Sequence, residues 1–334
     1  MKAVIPVAGA GTLLRPHTHT QPKPLVPVAG EPILGHIIRQ LIASGIQELV
    51  FVIGYLGEKI EAYVKAQYAD HIRCTFVVQD PREGSAHAIW VAREHLREES
   101  EILIMLGDTI VEMDFSAFLL HPNTIVGVKK VGKPSLFGIA ELGQDREVRR
   151  LVEKPLIPRS NLGLVGVYKI KNVPLLLDSI AELMEQNART HGEYFLTDAL
   201  MQMITKGEHI AWQKVNKWYD CSQKQDLLSA NATLLRTLPP DLGAGSTIDQ
   251  HSILIPPVFI GNNCRIQNAI IGPNVSIGDN TCITSSILRE SIVGSFAHIE
   301  DAILSQSIIG SDATLVGLKQ SLNIGDNTQI NFTK

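Results

Sequence analysis

The strongest constraint on this chain is a repeat in its last third. Five segments share one pattern: "IGNNCRI" (260–266), "IGDNTCI" (277–283), "VGSFAHI" (293–299), "IGSDATL" (309–315) and "IGDNTQI" (324–330). Each has an aliphatic residue, a glycine, four mostly small or polar residues and a closing Ile or Leu. The glycines, Gly261, Gly278, Gly294, Gly310 and Gly325, recur every 15 to 17 residues. Further aliphatics (Ile271, Leu288, Leu304) lie between the units, so inward positions return about every five or six residues, the mark of a parallel β-helix of stacked triangular coils. One coil cannot bury its own core, so the stack stands as a unit. Gly, Asn and Asp are expected at the corners, where left-handed backbone angles cost little. An antiparallel β-sandwich is the alternative, and five units in register favour the coil.

Residues 1–238 have a different texture, and the repeat region occupies 244–334, after "LPPDLGAG". "KAVIPVA" reads as a buried strand. Ile33, Leu34, Ile37, Ile38, Leu41 and Ile42 fall on one helical face that ends at Gly45. "ELVFVIG" is the next strand, then a helix over 58–68, the strand "CTFVVQ", the helix "SAHAIWVAREHL" and the strand "EILIML". Alternation of this kind predicts an α/β fold with a mostly parallel sheet covered on both faces. Ligands of such sheets bind at the carboxyl ends of strands, which points to the loops after Val7, Gln79 and Leu106.

Composition narrows the classes. The 334 residues carry a net charge of −4, which gives no basic footprint for nucleic acid. Phosphates would have to be held by local groups. Four scattered cysteines without a CxxC predict reduced thiols. No apolar run approaches the ~20 residues of a membrane span. Pro6 and Gly9 interrupt the apolar core that a signal peptide would need. The expectation is a cytoplasmic protein that binds neither nucleic acid nor membrane.

The loop "VAGAGTLLRPHTHTQPKPLVPV" decides among functions. Gly9, Ala10, Gly11 and Thr12 leave the backbone bare, so its N–H groups can approach phosphates. The loop lacks the GK[ST] of a P-loop, and the third glycine of G-x-G-x-x-G is replaced by Leu14. It resembles the signature of sugar-1-phosphate nucleotidyltransferases, close to G-x-G-T-R-L-x-P…P-K-P. "LGDT", "VEKP" and "KWYDCS" match that family's later landmarks in order. The resemblance covers the whole first region, and the tail is similar to that of long members, near glucose-1-phosphate thymidylyltransferases and uridylyltransferases. It implies a Rossmann-like nucleotidyltransferase domain followed by a left-handed β-helix. The implied reaction joins NTP and sugar 1-phosphate into NDP-sugar and pyrophosphate, with Mg2+.

Roles follow from the resemblance, each beside a plainer alternative. Lys23, mounted between Pro22 and Pro24, would stabilise charge on the NTP phosphates, or is a surface lysine. Asp108 and Asp220 would hold magnesium, an ion served by one or two carboxylates plus phosphates. Otherwise Asp108 is a turn residue and Asp220 caps the following helix. Gln79 and Gly84 would read a uracil or thymine edge, or Gln79 is a solvated loop residue. Glu153 would accept sugar hydroxyls and Lys154 would hold the sugar's phosphate. On a strand these two point to opposite faces, so a plain exposed strand end is the alternative. Gly138, Asn161 and Tyr168 would line the sugar site.

One position departs from the family pattern. Leu13 stands where the family has an arginine that would grip pyrophosphate, and Arg15 lies two residues on. A weakly active or non-catalytic regulatory relative that binds sugar nucleotides is therefore the second hypothesis. Acyl transfer by the tail, with His251 or His298 as base, is the third. Self-association through the β-helix is expected from its flat faces and open ends.

Overall fold

The computed structural model describes residues 1–144, 147–238 and 241–317. The repeat unit at 324–330, with Gly325, lies outside the described residues. Two compact units divide the chain, Met1–Thr233 and Leu234–Lys334.

In the first unit, besides a two-stranded ribbon of Pro27–Val28 and Glu31–Pro32, the strands are β1 (Lys2–Pro6), β2 (Glu48–Ile53), β3 (Arg73–Val78), β4 (Ile102–Met105), β5 (Thr109–Glu112), β6 (Thr124–Lys130), β7 (Gly138–Leu142), β8 (Val148–Glu153), β9 (Leu162–Ile170), β10 (Ile210–Lys214) and β11 (Lys217–Asp220). The helices are α1 (Ile33–Ala43), α2 (Gly57–Tyr68), α3 (Ser85–Val91), α4 (Phe115–Leu120), α5 (Val173–Glu185), α6 (Leu196–Thr205) and α7 (Lys224–Leu235). The main sheet runs β8–β7–β9–β4–β1–β2–β3, with β6 paired to β9 and β10 to β6.

This sheet is mixed. β4, β1, β2 and β3 are parallel, as the alternating pattern requires. β9 reverses the direction, running antiparallel to β4, β6 and β7, and β7–β8 form a hairpin. Parallel strands need helical crossovers and hairpins do not, so the helix-poor stretch 124–170 builds the antiparallel half. Val4, Val52, Ile104, Ile89, Tyr168, Ile180 and Leu200 belong to one core packed between the sheet and α3, α5 and α6. Ile33, Leu34, Ile37, Ile38 and Leu41 are wholly buried, which fixes the apolar face of α1.

Among the described residues of the second unit, three parallel sheets of five, five and four strands form the faces of a β-helix. Ile266, Ile283, Ile299 and Leu315 stack in register along one inward row. Ile271, Leu288 and Leu304 stack along another. The triangular coil of a left-handed β-helix is thus present across the described repeats.

The role expected of the repeat glycines needs correction. Gly261, Gly278 and Gly294 do not have positive φ. The left-handed corners fall on Asn263, Asn280, Phe296 and Asp312, two residues after each glycine, and on Asn268, Ser285 and Asp301. The glycines serve close approach instead. A Cβ at Gly278 would lie 2.6 Å from the Ser295 nitrogen, and one at Gly294 2.5 Å from the Ser311 nitrogen. Backbone of the next coil occupies the space a side chain would need. Gly278→Ala is therefore expected to destabilise the tail by about 1–3 kcal/mol, the usual range for overpacking. Asn280→Ala, which only strains a left-handed corner, is expected to cost about 1–2 kcal/mol. Urea midpoints of both variants check this; an unaltered midpoint for Gly278→Ala contradicts the close-packing account.

Candidate active site

Three loops at the carboxyl ends of parallel strands of one sheet meet over one cavity of about 350 Å3. They follow β1, β3 and β4, the loops indicated by the strand pattern. The wall includes Gly9, Gly11, Lys23, Gln79, Arg82, Gly84, Gly107, Asp108 and Glu193. Ala10, Thr12 and Arg15 belong to the same glycine loop but not to this wall.

Missing side chains bring the loops together. A Cβ at Gly107 would lie 2.2 Å from Val7, and one at Gly54 2.8 Å from Ala8. Gly11 takes φ 60, and a Cβ there would meet the Lys23 side chain at 2.8 Å. Its carbonyl accepts a hydrogen bond from the Thr18 hydroxyl (2.8 Å). The glycine loop thus folds back onto the lysine it precedes.

Lys23 is held as the flanking prolines suggest. Leu25 N–H donates to Pro22 O (2.8 Å) and Val26 N–H to Lys23 O (3.0 Å), while Pro24 and Leu25 are buried. The side chain is only 14% exposed, and its ammonium contacts Asp108 Oδ2 at 2.5 Å and Ser222 Oγ at 2.9 Å. Ser222 Oγ in turn donates to Asp220 Oδ1. A surface lysine is excluded.

Asp220 arrives through a second ladder. β11 pairs antiparallel with β5, setting Asp220 opposite Thr109, and Cys221 N–H donates to Asp108 O (3.0 Å). Asp108 directly precedes β5 and Asp220 ends β11, and the two meet because those strands pair. Burial pushes the Asp220 carboxyl above the usual aspartate range; the Asp108 charge adds to this, while Ser222 and Lys23 oppose it. Two carboxylates that repel across one hydroxyl suit a hard divalent cation, with substrate oxygens and water completing its shell. No cluster of three or more acidic, His or Cys ligands exists among the described residues.

Gln79 is 4% exposed, so it is not a solvated loop residue. Its Nε2 donates to Gly84 O (2.9 Å) and lies 3.2 Å from His87 Nδ1. Gly84 has φ 108, and a Cβ there would sit 2.4 Å from Tyr194 O. With its N–H2 so engaged, Gln79 presents its carbonyl as the uncommitted half of the amide.

The second cluster forms at the antiparallel end. Gly138 opens β7 opposite Glu153, the last residue of β8. A Cβ on Gly138 would lie 2.9 Å from both Glu153 Oε2 and Thr197 Oγ1. Thr197 donates to Glu153 Oε2 (2.6 Å). Lys154 does not follow the strand alternation expected of it. The strand stops at Glu153 and Lys154 takes φ 41. That turn brings its Nζ to 3.9 Å from Glu153 Oε1 and 5.0 Å from the Phe195 ring centroid. Tyr168 is buried, and its hydroxyl is disfavoured from ionising by burial first and then by the charges of Glu153 and Asp108. Asn161 is not brought to either cluster: it lines a separate groove with Lys130, Glu141 and Arg159, and its carbonyl accepts the Val131 N–H (2.9 Å).

Several participants escaped the sequence reading. Ser222 lay inside the quoted "KWYDCS" without a role. Thr197 carries no motif of its own and meets Glu153 only because α6 packs on β8. Phe137 and Trp218 form an edge-on aromatic pair, centroids 5.0 Å apart, beside Gly138. Arg82 and Glu193, on the cavity wall, had no sequence signal at all.

Comparison with known proteins now places this geometry. Residues 2–237 match the family described as nucleotidyl transferase. This chain belongs to that family. Residues 240–330 match the domain described as GMPPB C-terminal domain. Glucose-1-phosphate thymidylyltransferase of Streptomyces griseus is 30% identical over 344 residues, covering 99% of this chain and 93% of that protein. The bifunctional protein GlmU of Methanococcus vannielii is 35% identical over 249 residues, covering 72% of this chain. The match spans little more than half of that relative's length, 57%. Among solved structures, a UDP-glucose pyrophosphorylase complexed with UDP-glucose aligns with a TM-score of 0.63 at 21% identity, over 71% of this chain and 99% of that one. A UDP-glucose pyrophosphorylase from Acinetobacter baumanii aligns at 0.60 and 22%, over 71% and 94%. At these identities the two structures speak for the fold.

Glu153 supplies a stability test. Burial raises its carboxyl pKa, opposed first by the Thr197 hydrogen bond and then by Lys154. An acid whose folded pKa exceeds its unfolded value destabilises the fold at high pH, and the penalty is relieved as pH falls through the folded pKa. Glu153→Gln keeps an acceptor for Thr197 and removes the charge. At pH 7–8 it is expected to raise the melting temperature of the catalytic unit by a few degrees, about 1 kcal/mol or more at 2–4 °C each. The gain should vanish toward pH 4. Calorimetry across that range reads it; a lowered melting point at pH 8 contradicts the account.

Proposed function

We propose that the protein transfers a nucleotidyl group from a pyrimidine NTP, UTP or dTTP, to a sugar 1-phosphate, glucose 1-phosphate first among them, releasing pyrophosphate. The observation that carries this reading is Lys23, locked between Asp108 and Ser222–Asp220 on the wall of a glycine-lined cavity. Family membership and the thymidylyltransferase spanning nearly the whole chain support it.

The bare amides of Gly9–Gly11 receive the phosphates, and Lys23 neutralises charge that builds on them. The carbonyl of Gln79 accepts an N3–H, which uracil and thymine carry and cytosine lacks. Glu153 accepts hydroxyl hydrogens of the sugar, and Lys154 pairs with its phosphate. A phosphate oxygen of the sugar 1-phosphate attacks the α-phosphorus. The bond from that phosphorus to the bridging oxygen breaks, and pyrophosphate departs opposite. Positioning and charge neutralisation supply most of the acceleration. Asp108 and Asp220 would hold magnesium, which supplies further charge neutralisation on the phosphates when bound. Self-association through the β-helix belongs to the same reading.

The test is pyrophosphate release from four NTPs mixed with several sugar 1-phosphates and magnesium. Release is expected with UTP or dTTP and glucose 1-phosphate, and Lys23→Ala should lower kcat by about 10²-fold or more. Pyrophosphate from no pair, with NDP-sugar still bound, establishes the second reading, a regulatory relative.

Leu13 is the observation that favours that second reading. It is 70% exposed, so an arginine fits there without collision. One missing transition-state donor costs about 10²–10³ in rate. Leu13→Arg is therefore expected to raise kcat by about tenfold or more. Unaltered turnover would show that another cation already serves the departing pyrophosphate.

A further inference from the structure

The two clusters are joined by one short segment, and Arg189 organises it. Thr190 and Glu193 exchange backbone hydrogen bonds, both 3.0 Å, around His191 (φ 50) and Gly192 (φ 85), so the segment turns tightly on itself. Within this turn the Arg189 guanidinium donates to Asn187 Oδ1 (2.8 Å) and Gly192 O (3.2 Å). It stacks 4.3 Å from the centroid of Tyr194, whose hydroxyl also donates to Asn187 Oδ1 (2.9 Å).

Arg189 then reaches outside the turn, to Glu83 Oε1 at 2.5 Å. Glu83 precedes Gly84, whose carbonyl holds Gln79. The backbone seals the same contact. Tyr194 N–H donates to Glu83 O (2.8 Å), Ala86 N–H to Tyr194 O (2.9 Å) and Leu196 N–H to Ser85 Oγ (2.9 Å). Residues 83–86 and 194–196 are therefore laced together on the nucleotide side.

The next residues serve the other cluster. The Phe195 ring lies under Lys154 Nζ, and Thr197 donates to Glu153. Within four residues the chain passes from the wall of the nucleotide cavity, at Glu193, to the Glu153–Lys154 pair. An isolated, partly exposed ion pair contributes little. Arg189 has four partners in a connected network, where losses exceed those of single pairs.

We propose that Arg189 is a positioning residue whose bond to Glu83 makes 187–197 a strap shared by both half-sites, so that the NTP and the sugar 1-phosphate bind with positive coupling. This rests on the nucleotidyl-transfer reading above. Such coupling is reciprocal: each substrate lowers the dissociation constant of the other by one common factor.

The experiment is an initial-rate matrix varying UTP against glucose 1-phosphate, run on wild type, Arg189→Gln, Glu83→Gln and the double variant, with melting temperatures alongside. In wild type each substrate is expected to lower the apparent KM of the other by about fivefold, the low end of typical coupling. In each single variant that factor should fall to about 1 and both KM values rise, with kcat within about threefold of wild type. The double variant should be no worse than Arg189→Gln alone, because the Glu83 bond is already lost there. An intact coupling factor in Glu83→Gln and Arg189→Gln overturns the proposal, whatever happens to kcat or melting temperature. Additive losses in the double variant also overturn it. Wild type that releases no pyrophosphate from any NTP and sugar phosphate instead overturns the nucleotidyl-transfer reading, and the coupling with it.

Discussion

The contact between Lys23 and Asp108 is the interaction on which the rest of the site depends. Asp108 and Asp220 are drawn to one place by the β5–β11 ladder, and two carboxylates so close resist joint ionisation. Lys23, 2.5 Å from Asp108 and hydrogen-bonded to the serine that bonds Asp220, offsets that repulsion. Its position is set by the backbone, through Pro22 and Pro24 and through the Cβ that Gly11 lacks. The glycine loop is thereby fixed by the lysine as much as the lysine by the loop. The glycine loop's backbone and the Lys23 cation come as one unit.

The sheet divides the work. Its parallel half ends in loops that approach closely enough to exclude side chains at Gly54, after β2, and at Gly107, after β4. Backbone amides dominate there, which suits a polyanion. Its antiparallel half ends in a hairpin, β7–β8, and a helix start, which bring Glu153, Lys154 and Thr197 together. Side chains with directed hydrogen bonds dominate there, which suits a ring of hydroxyls. Tyr168 is buried on β9, the strand that reverses direction, and pairs there with Ile104 of β4.

Much of this was legible in the sequence because period and punctuation report backbone geometry directly. The β-strand and helix of 2–43, the loops after Val7, Gln79 and Leu106, and the stacked coils all follow from apolar spacing. Residues whose role depends on a local exception were not legible. Lys154 shares a face with Glu153 only because the strand ends one residue earlier and the chain turns left-handed. The repeat glycines looked like corner residues, yet the corners fell two positions later because the adjacent coil demanded the space. Asn161 faces another groove because its strand begins beyond it, at Leu162. Ser222, Thr197 and Arg189 act across long separations, and no spacing rule announces such partners.

The clusters also share an energetic character. Burial raises the carboxyl pKa of Glu153, Asp198 and Asp220 alike, and Asp198 Oδ2 has no hydrogen-bond partner. Burial therefore disfavours the ionised form of each in the unliganded fold. Hydrogen-bond donors or a cation brought by a ligand would favour the ionised form again. Ligands that bind only the folded state stabilise it in proportion to their occupancy, and here they would also remove a penalty already present. A site built this way discriminates by what it leaves unsatisfied. A ligand without donors at the right places leaves buried carboxylates unpaired, and that loss is larger than any deficit in apolar contact.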